Sequence, residues 1–115
     1  MTLFTDRVES GIERALQGVS MRQRVTADNI ANINTPHYLA SRVEFEDALR
    51  SAVDSGSGAA GITTSQSVAP TREDGNNVNL DAETLTSVDT QLRYQLLTQA
   101  MSGKLTSISS ALRTN

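Results

Sequence analysis

Apolar residues recur along the first third of the chain at the spacing of a helix. Val8, Ile12, Ala15, Leu16, Val19, Ala27, Ile30 and Ile33 fall on one side when successive residues are turned by about 100°. Arg7, Glu9, Arg14 and Arg24 fall mostly elsewhere. This predicts one amphipathic helix over about 3–34, about 45 Å long at 1.5 Å per residue. Met21 and Val25, one turn apart on the opposite side, add a smaller apolar patch. Gly11 and Gly18 work against the helix by about 1 kcal/mol each relative to Ala. Pro36 stops it, because Thr35, as the residue before a proline, is driven out of the α region.

A second helical pattern occupies 81–113. Leu85, Val88, Leu92 and Leu96 form one stripe; from Tyr94 a second runs through Leu97, Met101, Leu105, Ile108 and Leu112, about half a turn away. A helix that is apolar on more than one side is expected to be wrapped by several neighbours. Ala100, Gly103, Ser107 and Ala111 keep one flank small, where another helix could approach closely. Asp81 is the expected N-cap, with Leu80 and Leu85 as a hydrophobic staple across it.

Between the helices the pattern changes. SRVEFEDALRSAV predicts extended chain over 39–43 and a short helix over about 44–53. DSGSGAAGITTSQSVAPT has no periodicity and buries too little to order itself, so it is expected to be flexible. The turn-like Asp74-Gly75-Asn76-Asn77 closes the segment. The expected architecture is all-α: two long terminal helices in an antiparallel, coiled-coil-like pair, joined by an irregular, partly disordered middle with a short extended stretch or helix. An N-terminal helical unit thus covers 1–35, the middle segment 36–80 and a C-terminal helical unit 81–115.

Composition makes a self-sufficient core doubtful. Of 115 residues 37% are hydrophobic, with two Phe, two Tyr and no Trp, so the side chains that dominate burial are nearly missing. Ordering each residue costs about 1–2 kcal/mol of backbone entropy, which burial at about 25 cal/mol per Å² must exceed. The net charge of −3 is spread along the chain, and no basic run points to nucleic acid or an anionic membrane. There is no Cys. The start, MTLFTDRVES, lacks the basic and apolar regions of a cleaved secretory signal, and no run of 18 apolar residues would span a bilayer.

Candidate chemistry changes little. His37 is the sole histidine and has no Cys to share a metal with, so it reads as a surface turn residue. Glu44, Glu46 and Asp47 cluster as a solvated face rather than as a catalytic pair. DSGSGAAG lacks the Lys-Ser/Thr ending of a phosphate loop. No catalytic residue, metal site or cofactor is expected.

One stretch is distinctive. Asn29 to Tyr38 reads NIANINTPHY, which resembles the signature that ends the N-terminal helix in the flagellar rod and hook family of axial proteins. Asn29, Ala31, Asn32, Asn34, Thr35, Pro36 and Tyr38 match it, while His37 stands where Gly is usual. SRVEFEDAL continues the likeness, and DGNNVNLDAE with QLRYQLLTQAMSGKL is similar to the proximal rod members of the family. If the usual Gly serves a positive φ, His37 carries a steric cost there. The three asparagines at the helix end can satisfy its last carbonyls.

The resemblance implies a non-enzymatic subunit of the periplasm-spanning rod of the flagellar basal body. It implies export by the flagellar type III apparatus without a cleaved signal, and helical packing through an inner tube of terminal helices. The implied partners are other copies of the chain, other rod proteins, a rod-base adaptor of the FliE type and the export gate. Neither nucleic acid nor a small-molecule substrate is implied. The expected assembly surface comprises Val8, Ile12, Leu16, Val19, Ile30 and Ile33 on the first helix. On the last it comprises Leu85, Val88, Leu92, Leu96, Leu97, Met101, Leu105 and Ile108. The alternatives are a neighbouring proximal rod protein of the same family or, in a different class, a small helical adaptor or export chaperone that binds a partner helix in a groove.

Overall fold

The computed structural model describes residues 2–55 and 61–113, with 2–5 described as backbone only. In chain order the elements are α1 (Thr2–Ala31), β1 (Ser41–Glu44), α2 (Glu46–Ser55), β2 (Thr63–Gln66) and α3 (Leu80–Arg113). The two long terminal helices follow the periodicity. α1 and α3 run antiparallel, since Asn29 near the end of α1 bonds Glu83 at the start of α3, and Gln23 bonds Ser87 one turn on.

The middle segment departs from the all-α expectation. β1 and β2 form an antiparallel pair in which Ser41 faces Gln66 and Glu44 faces Thr63. Alternation makes β1 a strand: Val43 and Phe45 are buried, Arg42 and Glu44 exposed. β2 (TTSQ) lies inside the stretch expected to be disordered, and all four residues are exposed. Its order comes from pairing with β1 rather than from burial, which hydrophobic pattern cannot reveal. The expectation of an unstructured stretch over 54–71 is corrected at its start, where 54–55 end α2, and at 63–66, which form β2; residues 56–60 lie outside the described residues.

Helix ends also differ from expectation. α1 stops at Ala31, three residues early, because the Asn32 side chain donates to the Asp28 carbonyl at 2.8 Å. At the start of α3 the N-cap is Asn79 rather than Asp81: its side-chain oxygen accepts from the Ala82 N–H at 3.2 Å. The Leu80–Leu85 staple does not form, both side chains being exposed.

The core is small and sits between α1, β1 and α2. Ala15, Val19, Val43 and Phe45 form it, with Met21, Val25, Leu49, Ile62 and Leu97 packed around them. Met21 and Val25, read as a spare apolar patch, are therefore partly covered by the chain's own middle segment. Gly18 in α1 has a packing reason: a Cβ there would lie 2.6 Å from the Phe45 ring. The unfavourable helix propensity of Gly18 is the condition for seating the one aromatic ring of the core. Gly18→Ala is expected to destabilise by about 1–3 kcal/mol through overpacking, despite its better propensity. A thermal melt showing equal or higher stability would mean that Phe45 has room to move.

The molecule is long and thin, with Cα extents of 67 × 26 × 14 Å and a radius of gyration of 18.0 Å. A compact domain of this length has a radius near 13 Å. The accessible surface is 7839 Å², whereas a compact monomer of this mass exposes about 6,100 Å².

Candidate functional site: an asparagine clamp and two exposed helix faces

The NIANINTPHY stretch meets the REDGNNVN stretch where α1 ends and α3 begins. Asn29, 1% exposed, uses every hydrogen-bonding position of its amide. Its Nδ2 donates to the Ser41 carbonyl at 2.9 Å and to Glu83 Oε2 at 3.2 Å. Its Oδ1 accepts from the Ser41 N–H at 3.0 Å and from the Tyr38 hydroxyl at 3.2 Å. The side chain thus pairs with Ser41 as a neighbouring strand would, seals part of the outer edge of β1, and ties α1 to α3. Burial raises the Tyr38 hydroxyl pKa above its ordinary value, aided by the Asp28 and Glu83 carboxylates, so the phenol keeps the proton it donates.

Asn76 and Asn77 complete the clamp from the other side. Asn76, fully buried, donates to the carbonyls of Asn32 (2.8 Å) and Thr35 (2.9 Å), which also accept the Thr35 and Tyr38 N–H groups in the turn beyond α1. Its Oδ1 accepts from the Val78 N–H at 2.7 Å. Asn77 Oδ1 accepts from the Ala40 N–H at 2.7 Å, and its Nδ2 reaches the Ser67 and Ala69 carbonyls beyond β2. Arg72 donates to the Ile33 and Val78 carbonyls, both at 2.6 Å. Sequence reading missed Asn76, Asn77 and Arg72 as a site. The available signal was the density of asparagine in NNVN, a composition that favours local backbone bonding.

His37 does occupy a left-handed position, with φ 62°, and Gly75 opposite it has φ 81°. The His37 N–H donates to the Asp74 carbonyl at 2.8 Å, and a Cβ on Gly75 would lie 2.5 Å from His37 Nδ1. Left-handed backbone costs a non-Gly residue about 1–2 kcal/mol, while Gly adds about 0.4–1 kcal/mol of unfolded-chain entropy. His37→Gly is therefore expected to leave the melting temperature unchanged or slightly higher. A clear drop would assign His37 a packing role.

Of the remaining motif residues, Ala31, Asn34, Thr35 and Pro36 are exposed, and Asn32 and Tyr38 are half-buried. Along the middle of the clamp, Arg22 donates to the Val43 carbonyl at 2.7 Å, lies 4.9 Å from the Phe45 ring centroid and pairs with Glu46. Burial alone would push the Glu46 carboxyl up. The Arg22 guanidinium, with the backbone N–H groups of Glu46 and Phe45, outweighs it and holds the pKa down to about 2. Because the folded value is depressed, the pair's contribution is complete above the ordinary carboxylate value of 4.5 and is lost as pH falls through about 2. With that carboxylate 40% exposed, solvent screening leaves about 1 kcal/mol. Glu46→Gln is expected to flatten the fall of melting temperature across this acid range; an unchanged slope would dismiss the pair.

The residues expected to form an assembly surface separate into two groups. On α1, Val19 is buried, and Val8, Ile12, Leu16 and Ile30 are half-buried; Ile33, also half-buried, lies in the turn beyond it. On α3, the face turned to α1 is largely polar: Glu83, Ser87 and Thr90, then Leu97 and Met101. Thr90 is 1% exposed and donates back to the Thr86 carbonyl, which satisfies its hydroxyl inside the helix pair. Leu85, Val88, Leu92 and Leu96 face outward, 54–71% exposed. Leu105, Ile108 and Leu112, farther along, are also exposed. Among the described residues no group of His, Cys, Asp and Glu could hold a metal, and no helix is long and apolar enough to cross a membrane.

Comparison with known proteins decides the family. Residues 13–38, which end on the clamp motif, match the flagella basal body rod protein family. The chain is 32% identical to the flagellar basal body rod protein FlgB of Bacillus subtilis, over 97% of each chain. The chain belongs to the FlgB family. It is also 30% identical to FlgB of Escherichia coli, covering 88% of this chain and 89% of that protein. With FlgB of Borrelia hermsii the identity is 30%, over 98% and 100% respectively. FlgB-family members are structural components of the flagellar rod and not enzymes. The clamp ties the end of α1 to β1 and to the start of α3, and the apolar faces of α3 stay exposed.

Proposed function

We propose that this chain is a self-assembling subunit of the proximal rod that helps connect the membrane-embedded base of the flagellum to the distal rod and hook. The observation that carries the reading is the surplus of surface. The folded chain exposes 7839 Å², about 1,700 Å² more than a compact monomer. A standard protein interface covers about 800 Å² per partner, so the surplus matches two such contacts. A subunit with two different contact faces adds copies or neighbours head to tail, which gives an open helical array where the rotation does not close into a ring.

In this reading the terminal segments 1–35 and 81–115, which carry α1 and α3, pack against those of adjoining subunits as coiled-coil-like elements. The assembly surface is Val8, Ile12, Leu16, Ile30, Ile33, Leu85, Val88, Leu92, Leu96, Leu97, Met101, Leu105 and Ile108; Val19, 1% exposed in the subunit's own core, drops out of the expected set. The middle segment lies outside. Partners are other copies of itself, other rod proteins, a FliE-type adaptor and the export gate. Its place is the periplasm-spanning rod, reached by flagellar type III export. Deleting the coding sequence and isolating basal bodies tests this. The expected result is loss of the rod and of motility, both restored by the intact chain; complete rods in the deletion would refute the reading.

A further inference from the structure

Charge on α3 is divided along its length. Residues 80–91 carry Asp81, Glu83 and Asp89 with no Lys or Arg, whereas 92–113 carry Arg93, Lys104 and Arg113 with no Asp or Glu. The division coincides with two apolar patches on opposite sides of the helix. The near patch is Leu85, Val88, Leu92 and Leu96, flanked at 100° per residue by Asp81 and Asp89. The far patch is Leu105, Ile108 and Leu112, flanked by Lys104 and Arg113. Helix-dipole stabilisation accounts for acid in the first turn and base in the last. It does not reach Asp89 or Lys104, which lie well inside the helix, because the effect falls off within a turn.

We propose that the near patch of α3 is the seat for a basic, carboxylate-free amphipathic helix end on an adjoining rod subunit, of the chemistry this chain carries at 92–113. The inference rests on the rod reading and deepens it by naming which face receives what. Three features favour this occupant. The patch is apolar and already on the surface, so covering it leaves the monomer fold intact. The carboxylates at its borders attract Lys and Arg and reject an acidic helix; Asp89 is partly neutralised by Arg93 at 2.9 Å, which leaves Asp81 as the outer anchor. Beside Leu85 a cleft of about 550 Å³ opens between α1, β1 and α3, lined by Val25 and Val43, with Glu44, Glu46, Glu83 and Asp89 outnumbering Arg22 and Arg42 around it. It gives incoming leucines depth within a border of net negative charge. The two patches lie on opposite faces and about 20 residues apart, a stagger of about 30 Å, so the contact cannot close a two-fold dimer.

The test uses the full-length chain and a fluorescent peptide of residues 97–113, which holds the far patch and none of the near one, as the probe. Saturable binding is expected, weakening at least tenfold for Leu85→Asp or Leu92→Asp in the chain and falling as salt rises. A peptide carrying K104E and R113E is expected not to bind. Circular dichroism confirms that the variants remain folded. In cells, a photo-crosslinker at Leu85 is expected to attach to a basic terminal-helix end of a rod subunit, identified from the linked peptide. Absence of saturable binding, equal binding by the charge-reversed peptide, or a crosslink to an acidic or non-helical segment would overturn the proposal. These failures leave the rod reading standing if the chain is still found in isolated basal bodies.

Discussion

Asn29→Ala is expected to be the most damaging single substitution in the folded subunit. It removes a side chain that is 1% exposed and makes four bonds, to both backbone groups of Ser41, to Tyr38 and to Glu83. Glu83 and Tyr38 can turn toward water, but the Ser41 groups on the sealed edge of β1 cannot do so easily. Each buried polar group left without a partner costs about 1–3 kcal/mol, so a loss of about 3 kcal/mol or more follows. Against a total stability of about 5–15 kcal/mol for ordinary domains, and a core as small as this one, that loss suffices to open the clamp. Asn29→Asp is expected to be nearly as harmful, because it loses the donor and sets a carboxylate against Glu83. Denaturant melts and hydrogen exchange at Ser41 and Tyr38 provide the check. A loss below about 1 kcal/mol would show that water replaces the amide.

Leu92→Asp is expected to separate folding from assembly. Leu92 is 54% exposed and belongs to no core cluster, so the isolated chain should melt within about 0.5 kcal/mol of the original. In the rod the same position is expected to be covered. An unpaired carboxylate there costs several kcal/mol, and each 1.4 kcal/mol is a tenfold loss of association. Incorporation into basal bodies and motility should therefore be abolished while the protein remains folded and present. Normal motility would place Leu92 in solvent. Asn29→Ala and Leu92→Asp thus lose function by opposite routes, one through the clamp and the other through the contact face.

Much of the fold was legible in the order of residues. Two helices, their approximate bounds and the short helix between them follow from periodicity and from Pro36, because local spacing alone sets which side chains share a face. The motif at 29–38 pointed to the family and to helix-end chemistry: Asn32 does satisfy one of the last carbonyls of α1, although the helix ends there and not nearer Pro36. The resemblance made a steric cost at His37 conditional on a positive φ, and its φ of 62° meets that condition.

Other features were invisible because they depend on partners far away in the chain. β2 is a strand only because β1 lies beside it; its own Thr-Thr-Ser-Gln has no burial to announce it. Gly18 looked like a flaw in α1 until Phe45, 27 positions on, was found seated on it. Asn76 and Asn77 read as a turn, yet they are buried because carbonyls of 32, 35, 67 and 69 converge there. The stripe Leu85–Leu96 was found from sequence, but which way it faces was not. A periodicity fixes the angles between side chains and leaves the rotation of the helix open. That rotation is set by Thr90, Ser87 and Glu83 bonding or packing inward, which turns the leucines out to the surface.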